Sequence, residues 1–308
     1  AVVQAQMGQH FGGLAFDRSS RQLAVSAESA QSPSDIHVYS IAAASAATVP
    51  EVKLARWTTS ELGAIPVAKL VPAQLVEFPT WDKLGGQQRG ITAFLYEPLT
   101  PGPHPVIIDI HGGPESQYRP QWSAFTQYLV NELGYAVLAP NVRGSSGYGR
   151  SFLKLDDGAL REDSVRDIGA LLVWIGTQAR LDRNRVVVMG GSYGGYMSLA
   201  SMVHYSDRLA GGIDIVGISN FVTFLTNTSA YRRDLRRVEY GDERDPAMRA
   251  LLQNISPLTN AASITKPLLI VQGLNDPRVP FTESEQMMAK VRAGGGEAMI
   301  VGDGQLAS

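Results

Sequence analysis

The stretch that most constrains this chain is residues 186–200, VVVMGGSYGGYMSLA. Val186, Val187, Val188 and Met189 are apolar and mostly β-branched, which suits a short, fully buried strand. Gly190, Gly191, Ser192, Tyr193, Gly194 and Gly195 then turn the chain sharply, and residues 196–205 read as a helix. A serine between glycines at a strand–turn–helix corner is the pattern of a nucleophile elbow. The spacing has a steric cause: the turn is so tight that a Cβ at Gly190 or Gly194 would strike the neighbouring strand or helix. The Ser192 hydroxyl is then expected at a helix N-terminus, where backbone N–H groups favour developing negative charge. A plain glycine-rich turn is the competing reading. The strand before, the helix after and paired glycines on both sides favour the elbow.

Composition narrows the field. The chain has 308 residues, of which 44% are hydrophobic and 18% charged, enough for one large α/β domain or one domain with an appendage. A formal net charge of −2 leaves no electrostatic footprint for nucleic acid or an anionic membrane. There is no cysteine, so disulfides, thiolate metal sites and a cysteine nucleophile are excluded. No apolar run reaches about 18 residues, and no membrane-spanning helix is expected. The first ten residues carry neither a charged n-region nor an apolar h-region, so no signal peptide is read and a cytoplasmic location is expected.

Residues 1–60 read as β structure. Strands are expected at 13–17, 22–26, 35–41 and 52–58, with a small-residue loop over 42–50. Four short strands at this spacing make about one propeller blade. Residues 61–73 read as a linker with a short helix. From residue 74 onward, strands at 75–78, 91–97, 105–110, 135–139, 186–189, 212–216, 268–271 and 298–301 alternate with helices at 122–133, 164–178, 196–205, 246–254 and 283–293. Buried strands alternating with helices specify a mostly parallel sheet covered by helices. Function in such sheets sits beyond the C-terminal strand ends.

Serine hydrolysis needs a nucleophile, a base, an orienting acid and oxyanion donors. Ser192 is the nucleophile candidate, and the Tyr193 N–H is one donor. The segment His111-Gly112-Gly113-Pro114 follows an earlier strand, as loops supplying the second donor do, and Gly113 is assigned that role. Asp276, in Gly273-Leu274-Asn275-Asp276-Pro277-Arg278, lies past a strand end and after the serine, where the acid is expected. Tyr196, Phe221, Phe224 and Trp174 are candidates for an apolar substrate pocket, although core packing is the commoner role for such residues. The charged run from Arg232 to Asp245 reads as a salt-laced surface. Gly144 to Gly149 lacks the Gly-Lys-Ser/Thr of a P-loop. A dinucleotide fold fails because Asp214 sits inside a strand rather than at its end. No metal-ligand spacing occurs, and no cofactor is expected.

Together, HGGP at 111–114, NVRGSSGYG at 141–149, GGSYGGY at 190–196, Tyr240-Gly241-Asp242 and GLNDPRVP at 273–280 resemble the prolyl oligopeptidase family of serine peptidases. Residues from about 76 to 297 are similar to its catalytic domain, most of all to its acylaminoacyl-peptidase and dipeptidyl-peptidase-like branch. The resemblance implies an α/β-hydrolase fold over residues 74–308, with residues 1–60 similar to the last blade of an N-terminal β-propeller. It implies Ser192 as nucleophile, Asp276 as triad acid, and Tyr193 with Gly113 as oxyanion donors. It would place the base in a loop that Gly302-Asp303-Gly304 begins. None of the five histidines follows Asp276. Two readings of the base stay open: the histidine lies outside this chain, both of whose ends read as truncated, or His111 substitutes for it. Two functions stay open as well. One is a serine hydrolase cleaving peptide, acylated amino acid or small ester bonds. The other is a catalytically impaired, hydrolase-like binding protein. Exposed strand edges also predict self-association.

Overall fold

The computed structural model describes residues 9–42, 52–63 and 65–303. Most of the loop expected at 42–50, and Gly304 of the expected base loop, lie outside them. The chain forms two compact units.

The first unit takes the described residues up to Gln74 together with Tyr96–Thr100 and Arg119–Gly134. Strands β1 (Gln9–Phe16), β2 (Gln22–Ser29), β3 (Ser32–Ile41) and β4 (Val52–Arg56) form an antiparallel sheet in chain order. The β1–β2 turn is closed by Asp17, whose Oδ1 accepts from the N–H groups of Arg21 (2.8 Å) and Gln22 (2.9 Å). Asp35, buried on β3, accepts from Thr58 Oγ1 at 2.8 Å and the Ser60 N–H at 2.9 Å, and pairs with Arg56.

Residues 61–73 do more than link. They hold a 3-10 turn at Val67–Lys69, then bury Leu70 and Val71. Helix α1 (Ala124–Asn131), expected with the α/β part, belongs to this first unit. Its buried Gln127 is the reason. Its Nε2 donates to the carbonyls of Ala30 (2.8 Å) and Val71 (2.9 Å), and its Oε1 accepts from the Val71 N–H (3.0 Å).

The second unit is built on strands β5 (Gln74–Leu84), β6 (Gln87–Tyr96), β7 (His104–Ile110), β8 (Ala136–Asn141), β9 (Leu181–Gly191), β10 (Gly211–Ile215), β11 (Leu268–Gly273) and β12 (Ala298–Asp303). Their order is β12-β11-β10-β9-β7-β8-β6-β5, and β7 to β12 run parallel to one another. The helices are α2 (Arg150–Leu153), α3 (Arg161–Ile175), α4 (Tyr193–Tyr205), α5 (Phe221–Asn227), α6 (Ala230–Tyr240), α7 (Pro246–Ile255) and α8 (Phe281–Ala293). This is the α/β-hydrolase arrangement the alternating pattern anticipates. The apolar stripe of α3, Val165, Ile168, Leu171, Leu172 and Ile175, is buried in the sheet's core. Local caps set the helix starts: Asn220 accepts from the N–H of Val222 for α5, and Asp245 accepts from that of Met248 for α7.

Helix α6 falls largely in the region from Arg232 to Asp245, read only as a charged surface. Its ion pairs form as expected, Arg237 with Asp234 at 2.8 Å and Arg236 with Glu239 at 2.5 Å. Both are helical i,i+3 pairs, however, and they support a helix rather than a loop.

The elbow depends on close packing of β7, β9 and α4. A Cβ at Gly194 would overlap the Ile110 carbonyl oxygen, and one at Gly190 would lie 2.5 Å from the Gly194 carbonyl oxygen and 2.7 Å from that of Ile110. The next glycine differs: a Cβ at Gly191 meets nothing nearer than the Ile215 oxygen at 3.9 Å. Overpacking a rigid site costs about 1–3 kcal/mol, and a clash with backbone belongs at the upper end or beyond. Gly194→Ala is expected to lower unfolding free energy by about 3 kcal/mol, whereas Gly191→Ala changes it by under about 1 kcal/mol. Urea denaturation of the two variants side by side checks this.

Candidate active site

Ser192 follows β9 directly and caps α4 with φ 57° and ψ −116°, a conformation that side-chain-bearing residues rarely adopt. The backbone holds it there: the Ser192 N–H donates to the Ile215 carbonyl at 2.8 Å, and the Ser192 carbonyl accepts from the Tyr196 N–H at 3.1 Å. The hydroxyl does not cap its own helix and has no hydrogen-bond partner among the described residues. It is half-buried, at the mouth of the sheet. The elbow helix starts at Tyr193, three residues earlier than its apolar pattern suggests, so the first-turn N–H groups lie directly beside the serine.

The HGG loop closes on the same point. A Cβ at Gly112 would stand 3.0 Å from the Gly191 oxygen and 3.4 Å from the Ser192 Cβ. Gly113 follows at φ +127°, a backbone state that glycine adopts without strain. Its N–H has no internal partner among the described residues. Its carbonyl accepts from Arg236 Nη1 at 3.1 Å, with the Tyr240 hydroxyl more weakly placed at 3.5 Å.

Asp276 lies past the end of β11. Gly191 is in register with Ile215, and Ile215 with Val271, so Ser192 and the β11 loop open on one edge of the sheet. They are two strand spacings apart, roughly 10 Å. The Asp276 carboxylate is buried, and its Oδ1 accepts from the N–H groups of Arg278 (2.7 Å) and Val279 (3.1 Å). Strand β12 runs parallel to β11 with Asp303 opposite Gly273, so it ends at this same edge.

The His111 expectation is corrected. Its Nδ1–H donates to the Gly112 carbonyl at 2.7 Å, and its Nε2 lies 2.8 Å from the Ser145 hydroxyl. The ring is buried, which pushes its pKa down, and both nitrogens are engaged away from Ser192. Among the described residues no histidine is hydrogen-bonded to Ser192. His204, for one, is bonded to Glu162 at 2.8 Å.

The pocket expectation is corrected too. Tyr196, Phe221 and Phe224 have exposures of 0%, 0% and 2% and belong to the core cluster. The Tyr196 and Phe221 rings lie 4.7 Å apart, so they support the elbow from beneath rather than line an open pocket. Trp174 packs on that core beside Phe78, at 6.4 Å between ring centres.

What the sequence reading missed is a buried polar network under both oxyanion candidates. The Tyr193 hydroxyl donates to Asp156 Oδ2 at 3.0 Å and lies 2.8 Å from Ser164 Oγ. Arg161 pairs with Asp156 at 2.6 Å and donates to the Glu239 carbonyl at 2.9 Å. The Glu239 carboxylate meets Arg236, which holds Gly113. A continuous chain of polar contacts therefore runs from the Tyr193 side chain to the Gly113 carbonyl. Gly144 of the NVRGSSGYG motif stands directly on Asp156, where a Cβ would overlap the carboxylate. The motif's Arg143 pairs with Asp167 at 2.7 Å and Asp82 at 3.0 Å. That glycine was a sequence signal for the network, whereas the arginine belongs to a separate buried pairing.

Fold and site together define an α/β-hydrolase domain carrying a serine elbow. The sequence profile of the prolyl oligopeptidase family matches residues 120–303, and the chain belongs to that family. It is 38% identical over 194 residues to dipeptidyl aminopeptidase BIII of Pseudoxanthomonas mexicana, covering 62% of this chain and 28% of that protein. It is 28% identical over 195 residues to the acylamino-acid-releasing enzyme of Sus scrofa, covering 61% and 26% of the two chains. The acylaminoacyl peptidase of Pyrococcus horikoshii superposes with a TM-score of 0.81 at 23% identity, covering 98% of this chain and 46% of that one. The chain thus spans under a third of the length of these two curated relatives. Among the described residues no helix is long and apolar enough to cross a membrane.

Two outcomes test the site's construction. Removing one partner of a buried ion pair costs about 3–5 kcal/mol. Arg161→Met, which strands Asp156, is therefore expected to lower the unfolding free energy by that amount, read from urea midpoints. Asp214 on β10 lies against Gly195 and Gly217 of the elbow region, and burial pushes its pKa up to about 7, a bond from Gly217 opposing and Glu283 adding. A raised native pKa means that the folded state favours the protonated acid. Stability is therefore lost as pH rises from about 4 through about 7. Asp214→Asn is expected to melt higher than wild type at pH 8, with the gap shrinking toward pH 5. A gap independent of pH in calorimetry would contradict this.

Proposed function

We propose that this chain carries the catalytic domain of a serine hydrolase acting on peptide, acylated amino acid or small ester bonds. Ser192 attacks the acyl carbonyl, the N–H groups of Tyr193 and Gly113 hold the oxyanion, and Asp276 orients the base. The reading rests on one observation above others: an unpartnered Ser192 hydroxyl on a left-handed turn, with the HGG loop packed against its Cβ. Each oxyanion donor contributes about 3 kcal/mol of barrier lowering. Names carried by relatives, a dipeptidyl aminopeptidase and an acylamino-acid-releasing enzyme, favour peptides with a short or blocked N-terminal portion. On this reading residues 9–60 are a partial propeller blade and residues 74–303 the hydrolase domain.

A second reading is a hydrolase-like binding protein with impaired turnover. It is favoured by the absence, among the described residues, of a histidine bonded to Ser192. Loss of a triad histidine costs about 10⁶ in kcat and leaves roughly 10³–10⁴ over water.

Incubation with a neutral alkyl fluorophosphonate, followed by peptide mass spectrometry, separates the two. Labelling at Ser192, abolished in Ser192→Ala, is the expected result. Folded protein that stays unlabelled after hours of exposure would leave only the binding reading standing.

A further inference from the structure

We propose that Arg232 and Arg278, backed by Arg236, form a subsite that takes a carboxylate on the peptide bound at Ser192. This inference rests on the hydrolase reading above and names the substrate class of that site.

Three positions converge. Arg232 and Arg236 stand four residues apart on α6 and so share a face. Arg278 lies two residues past Asp276, on a segment tied to the start of that helix. Thr228 Oγ1 donates to the Arg278 carbonyl at 2.7 Å, and the Ser229 hydroxyl donates to the Pro277 carbonyl at 2.6 Å. The cluster therefore stands between the loop carrying the candidate acid and the loop carrying the candidate oxyanion donor.

The partners are unevenly shared. Arg236 is committed to the Gly113 carbonyl and to Glu239. The guanidinium groups of Arg232 and Arg278 make no hydrogen bond or ion pair among the described residues, although both side chains are half-buried. Burial lowers the pKa of Arg232, and the charges of Arg236 and Arg278 push it the same way. The acidic groups near this cluster are Glu239 and the exposed Glu115, both of which act on Arg236, and the buried Asp276, whose carboxylate is taken up by the backbone N–H groups of Arg278 and Val279. No acid is matched to Arg232.

Holding like charges together in a partly desolvated place is unfavourable unless an anion completes the site. A guanidinium presents a planar fork that matches a carboxylate in a bidentate way. Reach fits as well. Arg236 bonds the Gly113 carbonyl, whose own residue is the candidate donor, so the cluster lies within about two or three residues of extended peptide from the reacting carbonyl. Beside it, α6 exposes Tyr231, Leu235 and Val238 at a spacing of four and three, an apolar strip for the flanking side chain. The expected ligand is thus a short peptide with a carboxylate a residue or two from the scissile bond.

The test uses the Ser192→Ala variant of this chain, so binding is read without turnover. Three peptides are compared by titration calorimetry at low salt: N-acetyl-Ala-Ala-Glu amide, N-acetyl-Ala-Ala-Gln with a free C-terminus, and N-acetyl-Ala-Ala-Gln amide. At least one acidic peptide is expected to bind about tenfold tighter than the neutral one, with the advantage fading as salt rises. Which acidic peptide wins identifies a side-chain or a C-terminal carboxylate. Arg232→Gln is expected to erase the preference, and Arg232→Lys to keep part of it, with thermal melts confirming that both are folded. Equal binding of all three peptides, or binding of none, overturns the subsite. Wild-type labelling by the neutral fluorophosphonate is read separately. Labelling without acid preference sinks only the subsite, and acid preference without labelling sinks only the hydrolase reading.

Discussion

The contact between the Ile110 carbonyl and the backbone of Gly194 is the constraint from which the rest of the active edge follows. It brings the end of β7 within touching distance of the first turn of α4. At that separation the chain between β9 and α4 has no room for an ordinary turn, and Ser192 is forced to positive φ. The strain is worth about 1–3 kcal/mol, and the parallel pairing of β9 with β7 and β10 supplies the rigidity that maintains it. The same closeness sets the HGG loop beside the serine, because β7 leads straight into that loop. Nucleophile and oxyanion candidates are thus consequences of one packing distance rather than separate features.

A second constraint holds the two sides of that arrangement in register. Asp156, Arg161, Glu239 and Arg236 join the Tyr193 side chain to the Gly113 carbonyl through buried contacts. Burying two charges seldom adds net stability over an apolar replacement. Directional hydrogen bonds do fix orientation, however, which apolar packing does less well. Arg161 has its guanidinium over the rings of Tyr193 (5.2 Å) and Tyr240 (4.9 Å), so the same cation also aligns the aromatic floor. A network of this kind fixes the segments that carry the two candidate N–H donors, and an oxyanion site needs such fixity more than it needs raw stability.

The legible parts of the sequence were those with local causes. Gly190 and Gly194 announced a close approach because only a missing side chain permits one, and every parallel strand was visible as an apolar run. The position of Asp276 past a strand end was legible through the apolar run that precedes it. Helix α6 was not, because its pattern is inverted: Tyr231, Leu235 and Val238 face outward, while charged residues flank the buried Tyr240. Apolar periodicity reads burial, and here it reads an exposed strip instead. His111 failed for another reason. Its position next to the oxyanion loop was correct, but ring direction depends on Ser145, a partner 34 positions away in sequence. The aromatic residues read as a pocket were likewise in the right region at the wrong depth.

The geometry also separates two halves of acyl chemistry that are usually treated as one. Stabilising an oxyanion requires fixed donors and positive potential, and on the proposed reading these come from the first turn of α4, the Gly113 N–H and the nearby Arg236 guanidinium. They are in place whether or not a proton acceptor stands beside Ser192, because their positions depend on packing and on the buried network. Moving the serine proton requires a group of suitable pKa within about 3 Å of the hydroxyl, and that demand falls on a different part of the edge, near the ends of β11 and β12. A reagent with a good leaving group draws mainly on the first half, whereas repeated turnover of an amide draws on both. Reactivity of Ser192 toward an activated phosphonate and competence in peptide hydrolysis are therefore physically distinct properties of this site.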